Sequence, residues 1–258
     1  MDKKAIRGWM MYDWANSAFA TTMLAAVLPI FYLEVAAKTF DENLALSYWS
    51  YTNSIAMLLV AGLAPVLGAI SDISGYKMRF LRIFAYAGMI ATACFAFVNE
   101  GDLLLASVLF ILGTVGFSGG NTFYDSLLTD LVPPEKRDMV SSQGYALGYV
   151  GGGVLLTVNL LMIQQPALFG FSGSLQATHA VFVSVAVWWF LFALPLFRHV
   201  RIAPSAVYSM PRRPVAAGFA RLARTLRHLG QYPELLKFLL AFWLFNDGIN
   251  TVITMAAA

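Results

Sequence analysis

Six long apolar runs limit what this chain can fold into more than any other feature of its sequence. A helix needs about 20 mostly apolar residues to cross the hydrocarbon core of a bilayer. The runs cover residues 9–36, 48–71, 80–99, 103–124, 142–164 and 177–197, and a seventh begins near residue 235. They are too long for β-strands and do not alternate. Because backbone groups cannot stay unpaired in lipid, we predict membrane-spanning helices.

The composition favours the same class of protein. Hydrophobic residues make up 59% of the chain and charged residues 12%, against about 45–50% and 25% in soluble domains. The single Cys94 cannot form a disulfide framework, and His179, His199 and His228 are scattered, so we expect no metal site and no cofactor. The net charge of +3 would suit nucleic acid, but the basic residues lie between apolar runs. Membrane lipids are therefore the expected partner, and nucleic acid is not.

The basic residues are confined almost entirely to one side of the predicted spans. They precede the first span and follow the second, fourth and sixth, whereas Lys38 alone lies on the opposite side. The positive-inside rule therefore predicts a multi-pass protein with a cytoplasmic N-terminus, in the plasma (inner) membrane if the source is bacterial. We call the side that carries Lys3, Lys77 and Lys136 the basic side.

The segment 198–233 differs from the spans because it is basic and interrupted by proline. Phe219, Leu222, Leu226 and Leu229 fall near one helical face, which suits an amphipathic helix on the inner leaflet. A solvated linker with a short helix fits equally well. We predict three parts: a six-helix bundle over 1–197, this linker over 198–233, and a seventh spanning helix over 234–258.

Polar residues interrupt three of the apolar runs. Asp13, Asn16 and Ser17 share one helical face, and the same spacing recurs in the seventh run. Because charge is costly in lipid, such residues usually face the bundle interior or a water-filled path. The alternative is a structural hydrogen bond or an interfacial cap. The candidates for a substrate or ion path are Asp13, Asn16, Ser17, Tyr124, Asp125, Asp247, Asn250 and Thr251.

The short loop after the second span has a second pattern, "GAISDISGYKMRFL". Gly68 would let a neighbouring helix approach closely, and Gly75 would permit a tight turn. Asp72 lies at the membrane edge, where a carboxylate can meet a helix N-terminus or an arginine. Lys77 and Arg79 can pair with acidic groups. A basic loop that only sets the topology is the alternative.

Three glycines in the fifth span repeat every four residues. Gly144, Gly148 and Gly152 therefore share one helical face. Small residues in such a row let two helices pack closely inside a membrane. We predict a helix-packing surface on this face.

The loop from Gly68 to Arg79 resembles the signature loop of the major facilitator superfamily, with the basic pair split by Met78. The resemblance implies that this loop locks the two halves of a transporter on the cytoplasmic side when the site faces outward. The fifth-span glycines are similar to that superfamily's glycine motif, which is associated with exchangers. Tyr149 stands where the motif has proline.

The stretches "YDWANSAF", "LLTDLVPPEKRDMVSSQGYALGYVGGG" and "FNDGINTVITMAA" together resemble the vacuole-effluxer branch of this superfamily. The resemblance implies an all-α membrane protein: a six-helix N-terminal bundle of 3+3 inverted repeats, plus the first helix of a C-terminal bundle. A full member has twelve spans, so we expect the chain to continue past Ala258. The site would lie between the halves, with the first and seventh spans facing each other.

The predicted function is secondary active transport of a small polar solute by alternating access. Fungal members of the branch are associated with amino-acid release, so the resemblance makes amino acids a candidate solute class and efflux a candidate direction. No nucleotide-binding loop occurs in the sequence, so a gradient of protons, of another ion or of a solute would drive transport. A membrane enzyme is disfavoured because no histidines pair at helical spacing. A non-transporting scaffold or receptor of the same fold is the alternative.

Overall fold

The computed structural model describes residues 3–71, 76–200 and 214–255, and it contains no β-strand within those ranges. Six of its helices are long and apolar enough to cross a membrane. They are α1 (Lys3–Ala36), α2 (Glu42–Ser71), α3 (Lys77–Cys94), α4 (Leu103–Leu131), α5 (Pro134–Gln164) and α6 (Ser174–His199). Two more helices follow, α7 (Pro214–Leu229) and α8 (Pro233–Met255). The predicted all-α, multi-pass membrane fold is confirmed.

The helices extend beyond the apolar runs at their polar ends. Helix α1 begins at Lys3 rather than near residue 9, and α4 continues to Leu131. Helix α4 ends at Leu131, and α5 begins three residues later with Pro134 as its first residue. Proline is tolerated there because its missing N–H would have no partner inside the helix. Hydropathy marks only the part of each helix that lies in hydrocarbon, so it underestimates helix length.

Helix α1 is irregular near its middle and at its far end. Residues Phe19–Ala26 and Tyr32–Ala36 are π-helical, with the α-helical turn Val27–Phe31 between them. Pro29 lacks the N–H that would bond to the carbonyl of the residue four positions earlier, which favours such a wider turn. Inside the first π-helical segment, the Thr21 hydroxyl lies 3.1 Å from the Ser17 carbonyl oxygen and 3.2 Å from that of Gly152, and can donate to either. The irregular segment is therefore tied to α5.

The helix packing has an internal symmetry. The most extensive contacts between the spans join α1 to α5 and α6, α4 to α2 and α3, and α3 to α6. Exchanging α1 with α4, α2 with α5 and α3 with α6 converts these contacts into one another. Two three-helix repeats of opposite orientation produce this pattern. The six-helix bundle thus has the 3+3 arrangement of the major facilitator fold.

Helices α3 and α4 pack closely enough for their backbones to touch. A Cβ atom added at Gly116 would lie 2.5 Å from the backbone nitrogen of Gly88. A Cβ atom added at Gly88 would lie 2.8 Å from the indole of Trp189, which is fully buried. Phe19 and Phe117 surround the same indole, at ring-centroid distances of 5.6 and 6.1 Å. Small residues in α3 and α4 therefore create the space in which the aromatic centre of the bundle packs.

The linker between the bundle and α8 is helical from Pro214 to Leu229 and packs against α2. Among the four apolar positions predicted for this face, the structure describes the side chains of Phe219 and Leu222, and both are exposed. The predicted position of α7 on the inner leaflet stays a prediction. The same applies to the division of the chain into three parts.

Candidate functional site

Helices α1 and α4 run antiparallel and bring polar side chains together on the half of the bundle nearer the basic side. The Asn16 Nδ2 donates a 2.6 Å hydrogen bond to Asn121 Oδ1. Closer to the basic side, Trp9 Nε1 donates to the backbone oxygen of Tyr124 at 3.0 Å. Farther from the basic side, the ring of Phe19 on α1 stacks on that of Phe117 on α4, with 5.1 Å between the ring centroids. This register decides which residues of the two helices can meet.

The Asn16–Asn121 bond should contribute measurably to stability. Replacing either amide by leucine leaves its partner without a hydrogen bond, which should cost about 1–2 kcal/mol. The double variant should cost less than the sum of the two single variants by about 1 kcal/mol, because the partner is then also removed. The free energy of unfolding, measured by SDS titration in mixed micelles, provides this double-mutant cycle. Additive single effects would mean that the two amides do not interact.

Two carboxylates, Asp13 and Asp125, lie about one helical turn from the Asn16–Asn121 bond, towards the basic side. Asp13 is 8% exposed, whereas Asp125 is exposed. They are close enough to interact electrostatically. Throughout the described ranges, no lysine or arginine forms an ion pair with either carboxylate and no group donates a hydrogen bond to them. Two neighbouring carboxylates without a counter-charge repel each other, so this arrangement is suited to accepting a proton or a cation.

Tyr124 lies beside the carboxylate pair. Its ring stacks on Trp9 at 4.6 Å with an interplanar angle of 11°, and it meets Tyr12 at 4.9 Å. Its hydroxyl interacts electrostatically with both Asp13 and Asp125. The hydroxyl is buried, and none of the residues described by the structure is its hydrogen-bond partner. A buried hydroxyl without a partner is costly, so the site has an unused hydrogen-bonding group.

The glycine face of α5 packs against this part of α1. A Cβ atom at Gly148 would lie 2.7 Å from Ser17 Oγ and 3.1 Å from Asp13 Cγ. Gly144 and Gly152 approach α1 just as closely. A larger residue at Gly148 would displace the Ser17 hydroxyl and crowd the Asp13 carboxylate. The glycine row therefore holds the polar face of α1 in place as well as allowing close packing.

The structure does not bring the candidates of the seventh run to this cluster. Asp247 is exposed on α8, and the helix that contains it contacts the Phe19–Ala26 segment. Asn250 and Thr251 lie on the same helix, but their side chains are outside the described part of the structure. The predicted pairing of the first and seventh spans across a path thus stays a prediction.

The loop after α2 is only partly described. Asp72 and Gly75 lie outside the described residues. A Cβ atom at Gly68 would meet no atom within 4 Å, so in this structure no described helix approaches it. Lys77 is buried and its Nζ lies 2.7 Å from Asp130 Oδ2, while Arg79 is exposed. The loop lysine is therefore engaged with α4 of its own bundle.

Sequence reasoning missed several residues of the cluster. Asn121 precedes Asp125 by four residues, so the spacing argument applied to Asp13 would have found it. Trp9 and Tyr12 had no such signal, because aromatic residues are common in apolar runs. Their contacts depend on the register between α1 and α4, which the sequence alone does not reveal.

The family of the chain is established by comparison with known proteins. The family model described as "Vacuole effluxer Atg22 like" matches residues 1–138 and 133–258. The chain belongs to this family. It is 34% identical over 260 residues to an uncharacterized MFS-type transporter, YxiO, of Bacillus subtilis (strain 168). It is also similar to Autophagy-related protein 22 of Coccidioides immitis (strain RS), with 22% identity over 357 residues, and of Saccharomyces cerevisiae (strain ATCC 204508 / S288c), with 20% over 322 residues.

These alignments cover nearly all of this chain but only part of each relative. They include 99%, 97% and 97% of the chain, against 60%, 58% and 60% of the relatives in the same order. The chain thus spans less than two thirds of the length of these proteins. No solved structure matches it significantly.

Proposed function

We propose that the protein is a secondary active transporter that moves a small polar solute across a membrane by alternating access. The observation that carries the proposal is the carboxylate pair Asp13 and Asp125 on facing helices of a six-helix bundle of major facilitator type, where no described residue supplies a counter-charge. Ionisable residues within membrane spans usually mark a solute or ion path. Family membership adds support, because one relative is named as an MFS-type transporter and the family as vacuole effluxers.

In this proposal the cluster forms part of one wall of the solute path. Asp13 and Asp125 exchange a coupling ion, which would be a proton or another cation, or bind an amine of the solute. Asn16, Ser17 and Tyr124 supply hydrogen bonds, and the second half supplies the opposite wall through Asp247, Asn250 and Thr251. Amino acids are one candidate solute class, and efflux is the proposed direction. The excess of basic residues in the loops on one side supports a cytoplasmic N-terminus.

Proteoliposomes of the protein at its native length test this function. We expect an imposed pH or solute gradient to drive accumulation of at least one labelled amino acid or amine. The Asp13→Asn, Asp125→Asn double variant should lower the initial rate about 100-fold, because both groups that accept the cation lose their charge. Asp138→Asn, an exposed carboxylate on α5, is the matched control and should retain the wild-type rate.

Two outcomes would contradict the proposal in different ways. Transport that persists in the double variant would remove these carboxylates from the mechanism. Solute movement no faster than in protein-free liposomes, whichever gradient is imposed, would exclude transport and leave a scaffold or receptor of the same fold.

A further inference from the structure

The surface shared by α1, α4 and α5 offers hydrogen-bond acceptors that no described residue pairs with a donor. The Asp13 carboxylate is nine-tenths buried, and Asp125 and the buried Tyr124 hydroxyl lie next to it. Across the residues that the structure describes, none of these three groups has a hydrogen-bond partner. A primary ammonium group carries three N–H donors and a positive charge. It would therefore satisfy all three groups at once through charge-assisted hydrogen bonds.

Two neighbouring tyrosines are exposed on the helix that packs against these acceptors. Tyr145 and Tyr149 are four residues apart on α5 and are 54% and 79% exposed. Tyr145 interacts electrostatically with Asp13 and Asp125, so it borders the cluster, and Tyr149 lies on the far side of Tyr145, with which it interacts. Aromatic ring faces attract cations, and they also pack against apolar groups. The rings of Tyr145 and Tyr149 are accordingly available to a ligand, whereas that of Tyr124 is already stacked.

We propose that this site binds an organic primary ammonium ion that carries an aromatic or apolar body, with the ammonium at Asp13, Asp125 and Tyr124 and the body against Tyr145 and Tyr149. This proposal names the substrate class for the proposed transport function and rests on that function only for the translocation of the bound ligand. The net charge of the ligand is the discriminating property. A zwitterion would bring its own carboxylate towards Asp13 and Asp125, and a neutral analogue would leave them without a counter-charge. An inorganic cation would not use the tyrosines.

Equilibrium binding separates these ligand classes. The protein at its native length, reconstituted in nanodiscs, is titrated with 2-phenylethylamine, with neutral 2-phenylethanol and with zwitterionic phenylalanine. The Kd for the amine should be about tenfold lower than for either of the others, because only the amine satisfies the carboxylates without adding a negative charge. Equal or tighter binding of the alcohol or of phenylalanine would overturn the proposal.

Matched variants test the assigned residues. Asp125→Asn should raise the Kd for 2-phenylethylamine about tenfold, and Tyr145→Ala about fivefold. Tyr145→Phe keeps the ring and should bind nearly as well as the wild type. The controls are Asp138→Asn and Tyr51→Ala, which alter an exposed carboxylate and an exposed tyrosine outside the cluster. An unchanged Kd in Asp125→Asn would overturn the assignment.

Two further results distinguish this inference from the transport function. Binding of Na⁺ that is lost in Asp125→Asn, together with no measurable binding of 2-phenylethylamine, would assign the carboxylates to an inorganic cation and overturn the amine proposal. Binding of the amine without its transport by proteoliposomes would support the ligand class and contradict the transport function. Transport of another solute, together with no binding of the amine, would do the reverse.

Discussion

Gly116→Val should prevent folding or lower the free energy of unfolding by about 3 kcal/mol or more. A Cβ atom at this position would lie 2.5 Å from the backbone nitrogen of Gly88, 2.7 Å from its Cα and 2.8 Å from the Phe84 carbonyl oxygen. These are backbone atoms, so no side-chain rotation can relieve the contact. Helix α3 would have to move away from α4, and the space for Trp189 over Gly88 would change with it. Unfolding in SDS, followed by tryptophan fluorescence, measures the loss.

The control for Gly116 is a glycine whose surroundings are open. A Cβ atom at Gly153, inside α5, would meet nothing within 4 Å. Gly153→Ala should be neutral or stabilising by up to about 1 kcal/mol, because alanine restricts the unfolded chain more than glycine does. If Gly116→Val and Gly153→Ala gave similar stabilities, the close approach of α3 and α4 would be wrong.

The six spans were predictable because length and apolar composition are local properties. A run of about 20 apolar residues has few alternatives to a helix in lipid. Helix ends were less predictable: α1 begins at Lys3 because a polar stretch can continue a helix beyond the hydrocarbon region. The π-helical turns of α1 were not predicted either. They depend on the N–H that Pro29 lacks and on packing between helices, in which the Thr21 hydroxyl lies 3.2 Å from the Gly152 carbonyl oxygen of α5.

The polar cluster was predictable on each helix but not between helices. The spacing of Asp13 and Asn16 places them on one helical face whatever the tertiary structure. That Asn16 would bond to Asn121, and that Asp13 would lie near Asp125, depends on the register of α1 against α4. A shift of one residue would rotate each face by about 100° and separate these pairs. Tyr145 was missed for the same reason, since its relation to the carboxylates arises from the packing of α5.

Asp130→Ala should destabilise the bundle by about 2 kcal/mol. The Lys77 side chain is 7% exposed and has Asp130 Oδ2 at 2.7 Å, with the Ser126 carbonyl oxygen at 3.2 Å as its other partner. Without Asp130, the buried Lys77 ammonium group keeps only the Ser126 carbonyl oxygen as a partner. The cost stays below that of a fully buried pair because the Asp130 side chain is 31% exposed and water screens it. SDS titration again measures the free energy of unfolding.

A double-mutant cycle shows whether the cost arises from the unpaired lysine. Lys77→Met keeps the length of the side chain and leaves the partly exposed Asp130 in contact with water, so it should cost about 1 kcal/mol. Adding Asp130→Ala to Lys77→Met should then cost little more, since no buried cation remains. If the destabilisations of Lys77→Met and Asp130→Ala simply added in the double variant, the two side chains would not form a direct ion pair. Arg79→Ala is the control for loss of positive charge, because Arg79 is exposed and should leave stability unchanged.

The position of the Lys77–Asp130 ion pair limits the role that the loop after α2 can have in locking two halves of a transporter. Both Lys77 and Asp130 belong to the six-helix bundle, so their ion pair stabilises the start of α3 against the end of α4. It cannot by itself hold that bundle against another one. If the loop locks two halves of a transporter, as its resemblance to the superfamily motif implies, the contact between the halves must come from other residues. Among the described basic residues of the motif, the exposed Arg79 has its charge available for that contact. The lysine variants should therefore change stability more than they change the direction in which the site opens.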